Sequence, residues 1–257
     1  MQQNSAFGET IIELNEIDST NNYAMRLINE GMAEHGLTIR ADFQTAGKGQ
    51  HGNVWLAEES KNLLCSVILD TKEFELERQF ILNCMTCVCI TEMLMQQYVI
   101  PNVSIKWPND IYAGNKKIAG ILIENNIRGT QWTNAVVGIG LNINQEEFSH
   151  LNTATSMKIE LGKDVKIKQV LKHLLKKMGT QLTIFKTRPE HLLETYNSYL
   201  LNINREIQYM KKYELKTGIL KRVNDQGLIE IEETPSGKHI RKKARGYKHK
   251  EIELMVG

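Results

Sequence analysis

The sequence has little of what marks membrane, secreted or strongly nucleic-acid-binding proteins. No apolar run approaches the roughly 18–20 residues that cross a bilayer. The first ten residues, MQQNSAFGET, lack the basic start and apolar core of a signal peptide. The net charge of +2 at pH 7 creates no strong field for DNA or an anionic membrane. We therefore expect a cytoplasmic protein that binds neither DNA nor membranes.

Cysteine is also scarce, with four among 257 residues, and three of the four fall within residues 84–89. Cys84 and Cys87 have the C-x-x-C spacing of zinc and redox sites. A structural zinc site needs a second pair of ligands, and the sequence offers none nearby. We interpret the cluster as part of a buried helix that uses cysteine as a small hydrophobic residue, and expect no metal site built directly from protein side chains.

The first 200 residues mix strands and helices without strict alternation. This order favours an α+β fold, with a mixed sheet flanked by helices, over a doubly wound sheet. Apolar patterning predicts strands at 10–17, 37–43, 62–69, 104–107, 118–124 and 134–142. It predicts helices at 22–29, 76–98, 167–186 and 189–200.

After about residue 204 the pattern changes, and only short strands separated by turns remain. They are predicted at 206–210, 215–223, 228–232, 239–243 and 252–256. Five short strands in about fifty residues indicate a small β-barrel. The sequence therefore predicts two domains, residues 1–203 and residues 204–257.

The most informative segment is QTAGKGQHGNVW at residues 44–55, called here the glycine loop. It contains G-x-G-x-x-G, which in dinucleotide-binding proteins follows a strand and opens a helix. A strand precedes this loop, but the residues after Gly52 lack an apolar stripe of 3.6-residue period, so no helix is expected. We interpret the segment as a long mobile loop in which Lys48 helps to wrap a phosphate-bearing ligand.

A second dense segment, KWPNDIYAGNKKIAGILIE at residues 106–124, predicts a hairpin. Pro108 fixes φ, and the two polar residues after it favour a turn. Lys117 leads into a buried strand, where its ammonium group needs an anion. Gly120 and Gly140 remove side chains from strand interiors, which indicates the close approach of a ligand. Asn142, in GIGLNIN, offers an amide to a phosphate or a metal-bound oxygen.

These segments and DSTN at residues 18–21 form an ordered set: D-S-T-N, Q-x-x-G-[RK]-G-x-x-G-x-x-W, K-W-P-N-D, K-[IL]-A-G-I-L-[IV]-E and G-[IL]-G-x-N. In this set the chain resembles the biotin–protein ligases from about residue 10 onward. The resemblance implies a class II synthetase-like catalytic domain followed by an SH3-like barrel. It also implies that ATP and Mg²⁺ convert biotin to biotinyl-5′-AMP, and that the biotinyl group passes to a lysine of a carboxylase's biotin acceptor domain. No tightly bound cofactor is implied.

The same resemblance assigns roles to individual residues. Lys117 and Lys48 are expected to offset the repulsion between a carboxylate and a phosphate, and Asp110 to orient the incoming lysine or a magnesium-bound water. These three are the expected catalytic residues. The expected biotin-binding residues are Ser19, Thr20, Asn21, Gln44, Gly47, Lys48, Gly49, Gln50, Lys117, Gly120 and Gly140. The expected ATP-binding residues are Lys48, Trp55, Lys106, Asn109, Lys117 and Asn142, with Mg²⁺ near Asn142.

Two departures from the family pattern concern adenylate retention and repressor function. Gln50 and His51 stand where the family loop often has arginines, which bears on how tightly the adenylate is retained. The first predicted strand begins near residue 10, before which a helix-turn-helix domain does not fit, so we predict a ligase without repressor function.

Several alternatives stay open. One is a lipoate- or octanoate-type ligase, and another is a non-catalytic biotin-sensing module. The basic run at residues 241–250 is interpreted as a solvated face. An exposed sheet edge would allow a homodimer, without requiring one.

Overall fold

The computed structural model describes residues 7–148, 153–233 and 244–255. Its larger part is a seven-stranded mixed sheet. In chain order the strands are β1 (Ile11–Ile17), β2 (Thr38–Gln44), β3 (Leu63–Asp70), β4 (Val103–Lys106), β5 (Asp110–Ala113), β6 (Lys116–Arg128) and β7 (Gln131–Leu141). Their spatial order is β1-β2-β3-β7-β6-β5-β4, and β1 pairs with β2 in parallel while the other neighbours are antiparallel.

Helices cover both faces of this sheet, because side chains alternate between the faces along each strand. Helix α1 (Thr20–Asn29) packs on one face, against Ile39, Ile68 and Val136. The other face carries α2 (Gln79–Gln96), α4 (Ile167–Thr187) and α5 (Pro189–Ser198), in a core that includes Val67 and Val137. The short helix α3 (Met157–Leu161) was not predicted.

Helix α2 is apolar on all sides and lies in the middle of this second core. Its cysteines Cys84, Cys87 and Cys89 are fully buried free thiols, as is Cys65 of β3. Burial raises the pKa of the Cys84 thiol well above its usual range, which keeps it protonated and unreactive. The interpretation of these cysteines as small hydrophobic residues is confirmed.

A second, five-stranded antiparallel sheet follows α5. Its strands are β8 (Glu206–Lys211), β9 (Glu214–Val223), β10 (Ile229–Glu233), β11 (Ala244–Tyr247) and β12 (Glu253–Leu254), in the order β11-β10-β9-β8-β12. The predicted strand at 239–243 lies outside the described residues. The α+β fold is confirmed, and the division into domains 1–203 and 204–257 stays a prediction.

The main differences from the predicted elements are at their ends. The strand predicted at 118–124 extends over Lys116–Arg128 as β6. The helix predicted at 76–98 begins at Gln79, after a separate 3₁₀ turn at Leu76–Arg78. Among the described residues, no helix is long and apolar enough to cross a bilayer.

Candidate active site

A cavity of about 150 Å³ lies where the start of α1, the end of β2, the glycine loop and strands β5 to β7 meet. Most of the residues predicted from the sequence line it. They are Ser19, Thr20, Asn21, Gln44, Lys48, Gly49, Gln50, Trp55, Asn109, Asp110, Lys117, Gly120 and Gly140. The remaining three predicted residues, Gly47, Lys106 and Asn142, are not among the lining residues.

Neutral hydroxyl and amide groups are concentrated at the N-terminal end of α1. Ser19 is the N-cap residue, yet its side chain caps none of the described N–H groups of the helix. The Gln44 side-chain oxygen accepts a hydrogen bond from the Thr20 backbone N–H at 2.7 Å and lies 3.1 Å from the Thr20 hydroxyl. The Ser66 hydroxyl lies 2.7 Å from Thr20 Oγ1 and 2.6 Å from Asn21 Oδ1. This network holds donors and acceptors in fixed directions at one end of the cavity.

Asn21 links this polar group to a charged pair. Its Nδ2 donates to the Glu124 carboxylate at 2.7 Å and lies 3.2 Å from the Leu122 carbonyl. The other oxygen of Glu124 accepts from Lys48 Nζ at 2.7 Å, and Lys48 also contacts Asn22 Oδ1 at 3.0 Å. The cation of the glycine loop is therefore tied to β6 and α1.

The second lysine of the site is also paired. Lys117 Nζ lies 2.6 Å from the Asp110 carboxylate, and both side chains are about one quarter to one third exposed. The backbone of Lys117 is fixed from the other side, because its N–H donates to the Thr153 carbonyl at 2.7 Å. Lys106 is the register partner of Asp110 on β4. Burial lowers the pKa of Lys106, and Lys117 lowers it further while Asp110 opposes the shift.

The turn that carries Asp110 is anchored from beneath by two helices. The Trp107–Pro108 peptide bond is cis. The Pro108 carbonyl accepts hydrogen bonds from Asn83 of α2 at 2.8 Å and from the Tyr196 hydroxyl of α5 at 2.9 Å. Asn109, next in the chain, donates to the Ile121 carbonyl at 2.6 Å. These contacts fix the turn at the cavity wall.

Trp55 lies over Gly120 and Gly140, which form the floor of the cavity. A Cβ atom on Gly140 would overlap its indole, and one on Gly120 would lie 2.8 Å from it. The Lys117 ammonium lies 5.4 Å from the centre of a Trp55 ring, a cation–π distance. The glycines were predicted to admit a ligand, and in this structure they admit a tryptophan. Ligand pockets usually measure roughly 300–1,000 Å³, so the indole leaves less room than a typical ligand needs.

Asn142 differs from the expectation that it faces phosphates. Its side chain is buried and donates to the Thr155 carbonyl at 2.9 Å, which holds the chain after residue 153 against β7. Among the described residues, no group of three or more His, Cys, Asp or Glu is placed to hold a metal ion. The role of Asn142 toward ATP and Mg²⁺ stays a prediction.

Three residues of the site were not found from the sequence. Ser66 is the polar exception in the strand LLCSVILD, and this was an available signal. Glu124 closes the motif KIAGILIE, but its charge was not given a partner. His249 lines the cavity from the segment between β11 and β12, 198 residues from its partner His51, and no local pattern marks it.

With this geometry established, comparison with known proteins is informative. A model of the biotin/lipoate A/B protein ligase family matches residues 14–142. The chain belongs to this family. The matched segment contains Lys48, Asp110 and Lys117, together with the hydroxyl and amide residues Ser19, Thr20, Asn21 and Gln44. Helix α1 and strands β2 to β7 also lie there wholly, and β1 lies there in part.

Individual members place the chain among the biotin protein ligases. The biotin protein ligase from Aquifex aeolicus, solved with biotin and ATP, has a TM-score of 0.78 and 30% identity over 97% of this chain and 100% of that one. The bifunctional ligase/repressor BirA of Bacillus subtilis is 28% identical over 240 residues, which cover 91% of this chain and 72% of BirA. The biotin–[acetyl-CoA-carboxylase] ligase of Mycobacterium tuberculosis is 25% identical over 215 residues, 82% of this chain and 79% of that protein. The resemblance to the biotin–protein ligases is confirmed.

Proposed function

We propose that this protein is a biotin–[acetyl-CoA-carboxylase] ligase. It activates biotin with MgATP and transfers the biotinyl group to one lysine of a carboxylase's biotin acceptor domain. The observation that carries the proposal is the composition of one cavity. Two lysines from separate motifs face a row of neutral hydroxyl and amide groups, which suits a ligand with a carboxylate at one end and a neutral polar ring at the other.

The first step joins two negatively charged groups. A biotin carboxylate oxygen attacks the α-phosphorus of ATP, a new O–P bond forms, and the bond to the leaving pyrophosphate breaks. Positive charge must offset the repulsion between carboxylate and phosphate, and it stabilises the charge that develops in the transition state. Lys117 serves both groups, and Lys48 holds the adenylate phosphate as a point charge.

The neutral end of biotin is recognised by groups that carry no charge. The ureido ring has paired donors and acceptors, which Ser19, Thr20, Asn21 and Gln44 match. The hydrogen bonds of Thr20 to Gln44 and of Ser66 to its neighbours support this assignment, because they hold these groups in fixed orientations before the ligand arrives. Gly120 and Gly140 line the pocket with backbone once Trp55 has moved from them.

In the second step the acceptor lysine attacks the carbonyl carbon of biotinyl-5′-AMP. A C–N bond forms, the C–O bond to phosphate breaks, and AMP leaves with the electron pair. Asp110 is the proposed residue that orients the incoming amine and accepts the proton that the amine must lose to become nucleophilic. Its ion pair with Lys117 at 2.6 Å supports the proposal, because a lysine that turns to phosphate releases the carboxylate.

Pyrophosphate exchange into ATP tests the proposal. The full-length protein is incubated with MgATP, labelled pyrophosphate and one acid at a time: biotin, lipoate or octanoate. We expect labelled ATP when biotin is added, and none with lipoate, with octanoate or without an acid. Transfer is then measured on a purified acceptor domain with streptavidin, with the acceptor's lysine replaced by arginine as the control.

The other outcomes separate the competing functions. The family model covers lipoate as well as biotin ligases, so exchange with lipoate or octanoate and not with biotin would replace the proposal by that activity. Biotin binding by calorimetry without exchange would instead indicate a non-catalytic biotin-sensing module.

A further inference from the structure

Two histidines from distant parts of the chain meet at the cavity. The rings of His51, in the glycine loop, and His249, after β11, are stacked with their centres 4.8 Å apart and 17° between their planes. His51 Nε2 and His249 Nδ1 lie 2.8 Å apart, a hydrogen-bond distance. His249 lines the cavity itself, so this contact joins the second sheet to the glycine loop at the site.

His249 is held in place by the junction between the two sheets. Its ring meets Trp107 edge-on, with ring centres 5.4 Å apart and 68° between the planes. Trp107 is buried, and its indole N–H donates to the Gly227 carbonyl in the turn between β9 and β10 at 3.1 Å. His249 is exposed, and its ring contacts with Trp107 and His51 link this junction to the glycine loop.

His51 is one of nine described residues other than glycine that have a positive φ. It adopts the left-handed conformation, with φ 58° and ψ 32°, which residues other than glycine adopt infrequently. Such a conformation is unfavourable for a residue with a Cβ and persists where surrounding contacts stabilise it. The stacked, hydrogen-bonded contact with His249 is such a contact.

His51 lies at the tip of a small closed hairpin within the glycine loop. Lys48 pairs with Val54 as an isolated bridge, Gly49 N–H donates to the Asn53 carbonyl at 2.7 Å, and Trp55 N–H donates to the Gly47 carbonyl at 2.9 Å. The two arms of this hairpin carry Lys48 and Trp55. A contact that holds the tip therefore holds both side chains over the cavity.

We propose that His51 and His249 are positioning residues that latch the tip of the glycine loop to the second sheet, keeping Lys48 and Trp55 over the cavity. The consequence for catalysis rests on the proposed ligase function, whereas the latch itself does not. The arginine that the family loop often carries at this position is replaced here by a group that hydrogen-bonds to a second histidine.

The latch requires a neutral imidazole. An N–H···N hydrogen bond needs one ring nitrogen without a proton, and two protonated rings repel each other. Burial lowers the pKa of His249, the charges of His51 and Lys250 lower it further, and Asp110 opposes them. Because the pKa is lowered in the latched state, the latch is stable at neutral pH and is lost as the pH falls through the histidine range.

Amide hydrogen exchange of the ligand-free full-length protein measures the latch without reference to activity. We expect His249→Ala to exchange the amides of Gly49 and Trp55 about fivefold faster than the parent at pH 7.5, the effect of losing one ordinary hydrogen bond. His191→Ala, at an exposed position of α5, is the matched control and should leave these amides unchanged. Unchanged exchange across β3 confirms that each variant is folded.

A double-mutant cycle shows whether the two rings act on each other. His51→Gly removes one ring and keeps a residue suited to the left-handed conformation. Adding His249→Ala to His51→Gly should produce no further acceleration, although the same change accelerates exchange about fivefold in the parent. An equal acceleration in both backgrounds would show that His249 acts elsewhere, and it would overturn the latch.

Two more measurements complete the test. In the parent, amide exchange of Gly49 and Trp55, corrected for its intrinsic pH dependence, should become faster between pH 7.5 and pH 5.5 and reach the rate seen in His249→Ala. A difference between the parent and His249→Ala that does not change with pH contradicts the latch. Pyrophosphate exchange is measured separately. If His249→Ala accelerates amide exchange but the parent shows no pyrophosphate exchange, the latch is supported and the ligase function is contradicted. If the parent shows strong pyrophosphate exchange but His249→Ala leaves the loop amides unchanged, the ligase function is supported and the latch is contradicted.

Discussion

Lys117 and Asp110 form an ion pair at the cavity wall, with 2.6 Å between ammonium and carboxylate. Strand pairing brings them close, because Asp110 pairs with Gly120 of the antiparallel strand β6, and Lys117 lies three residues before Gly120. Lys117 therefore has a carboxylate partner in this structure. In the proposed reaction it exchanges that partner for the phosphate of ATP or the carboxylate of biotin.

The first prediction concerns Lys117 itself. Lys117→Ala should lower biotin-dependent pyrophosphate exchange by about 100-fold or more, because the charge that stabilises the transition state is gone. Biotin affinity by calorimetry should change by less than about fivefold, because the ring contacts remain. Lys116→Ala, at the exposed neighbouring position, is the control and should retain full exchange. A collapse of biotin binding with exchange intact would contradict the role given to Lys117.

The second prediction separates the two steps of the reaction through Asp110. Asp110→Asn keeps the shape of the side chain and removes its charge. Transfer from preformed biotinyl-5′-AMP to the acceptor domain should slow by about 100-fold, the usual effect of losing a proton-accepting or orienting group. Pyrophosphate exchange should fall less than in Lys117→Ala. Single-turnover transfer and exchange measured on one preparation give the comparison, and equal losses in both would assign Asp110 to the first step.

The third prediction tests the close approach of Trp55 to Gly140. Gly140→Ala places a methyl group where the indole lies, so it should lower the free energy of unfolding by about 1–3 kcal/mol through overpacking. Trp55→Ala in the same chain should restore part of that loss. Urea unfolding of the two single variants and the double variant measures the coupling. Additive losses would mean that the ring and the glycine do not meet.

The sequence predicted which residues line the cavity better than it predicted the contacts that position them. The motifs that form the cavity are short and contiguous, so their residue types indicate their chemistry directly. Ser66, Glu124 and His249 act through partners 45 to 198 residues away, and no local periodicity encodes such pairings. The amide of Asn142 was assigned to a ligand from its motif. The structure uses it for the Thr155 carbonyl, a contact set by the return of the chain after residue 153.

The elements show the same division between local and tertiary signals. Strand β3 and helix α2 were predicted closely because an unbroken apolar run and a long apolar helix are strong local signals. Helix α3 has five residues, too few to display a helical period. Trp55 was expected to bind ATP. Its place on the glycine floor depends on strands β6 and β7, which lie far along the chain.

The fourth prediction concerns the cysteines of α2. Cys84→Ser places a hydroxyl in an apolar core, so it should lower the free energy of unfolding by about 1–3 kcal/mol, the cost of burying a poorly satisfied polar group. Cys84→Ala should cost less, about 1 kcal/mol, because it leaves only a small cavity. Urea unfolding with and without a chelator distinguishes packing from metal binding. A chelator-sensitive parent protein would revive the metal interpretation.

The pairing of Lys48 with Glu124 and of Lys117 with Asp110 also bears on which anions the site binds. Both lysines among the described lining residues have a carboxylate partner, so free phosphate or pyrophosphate meets no unpaired lysine there. Such an anion would have to displace a carboxylate with nothing but its own charge. A ligand whose neutral end is hydrogen-bonded by hydroxyls and amides gains additional binding energy, which allows it to displace the carboxylate. For the proposed ligase, we therefore expect the two ion pairs to disfavour free inorganic anions relative to the substrate.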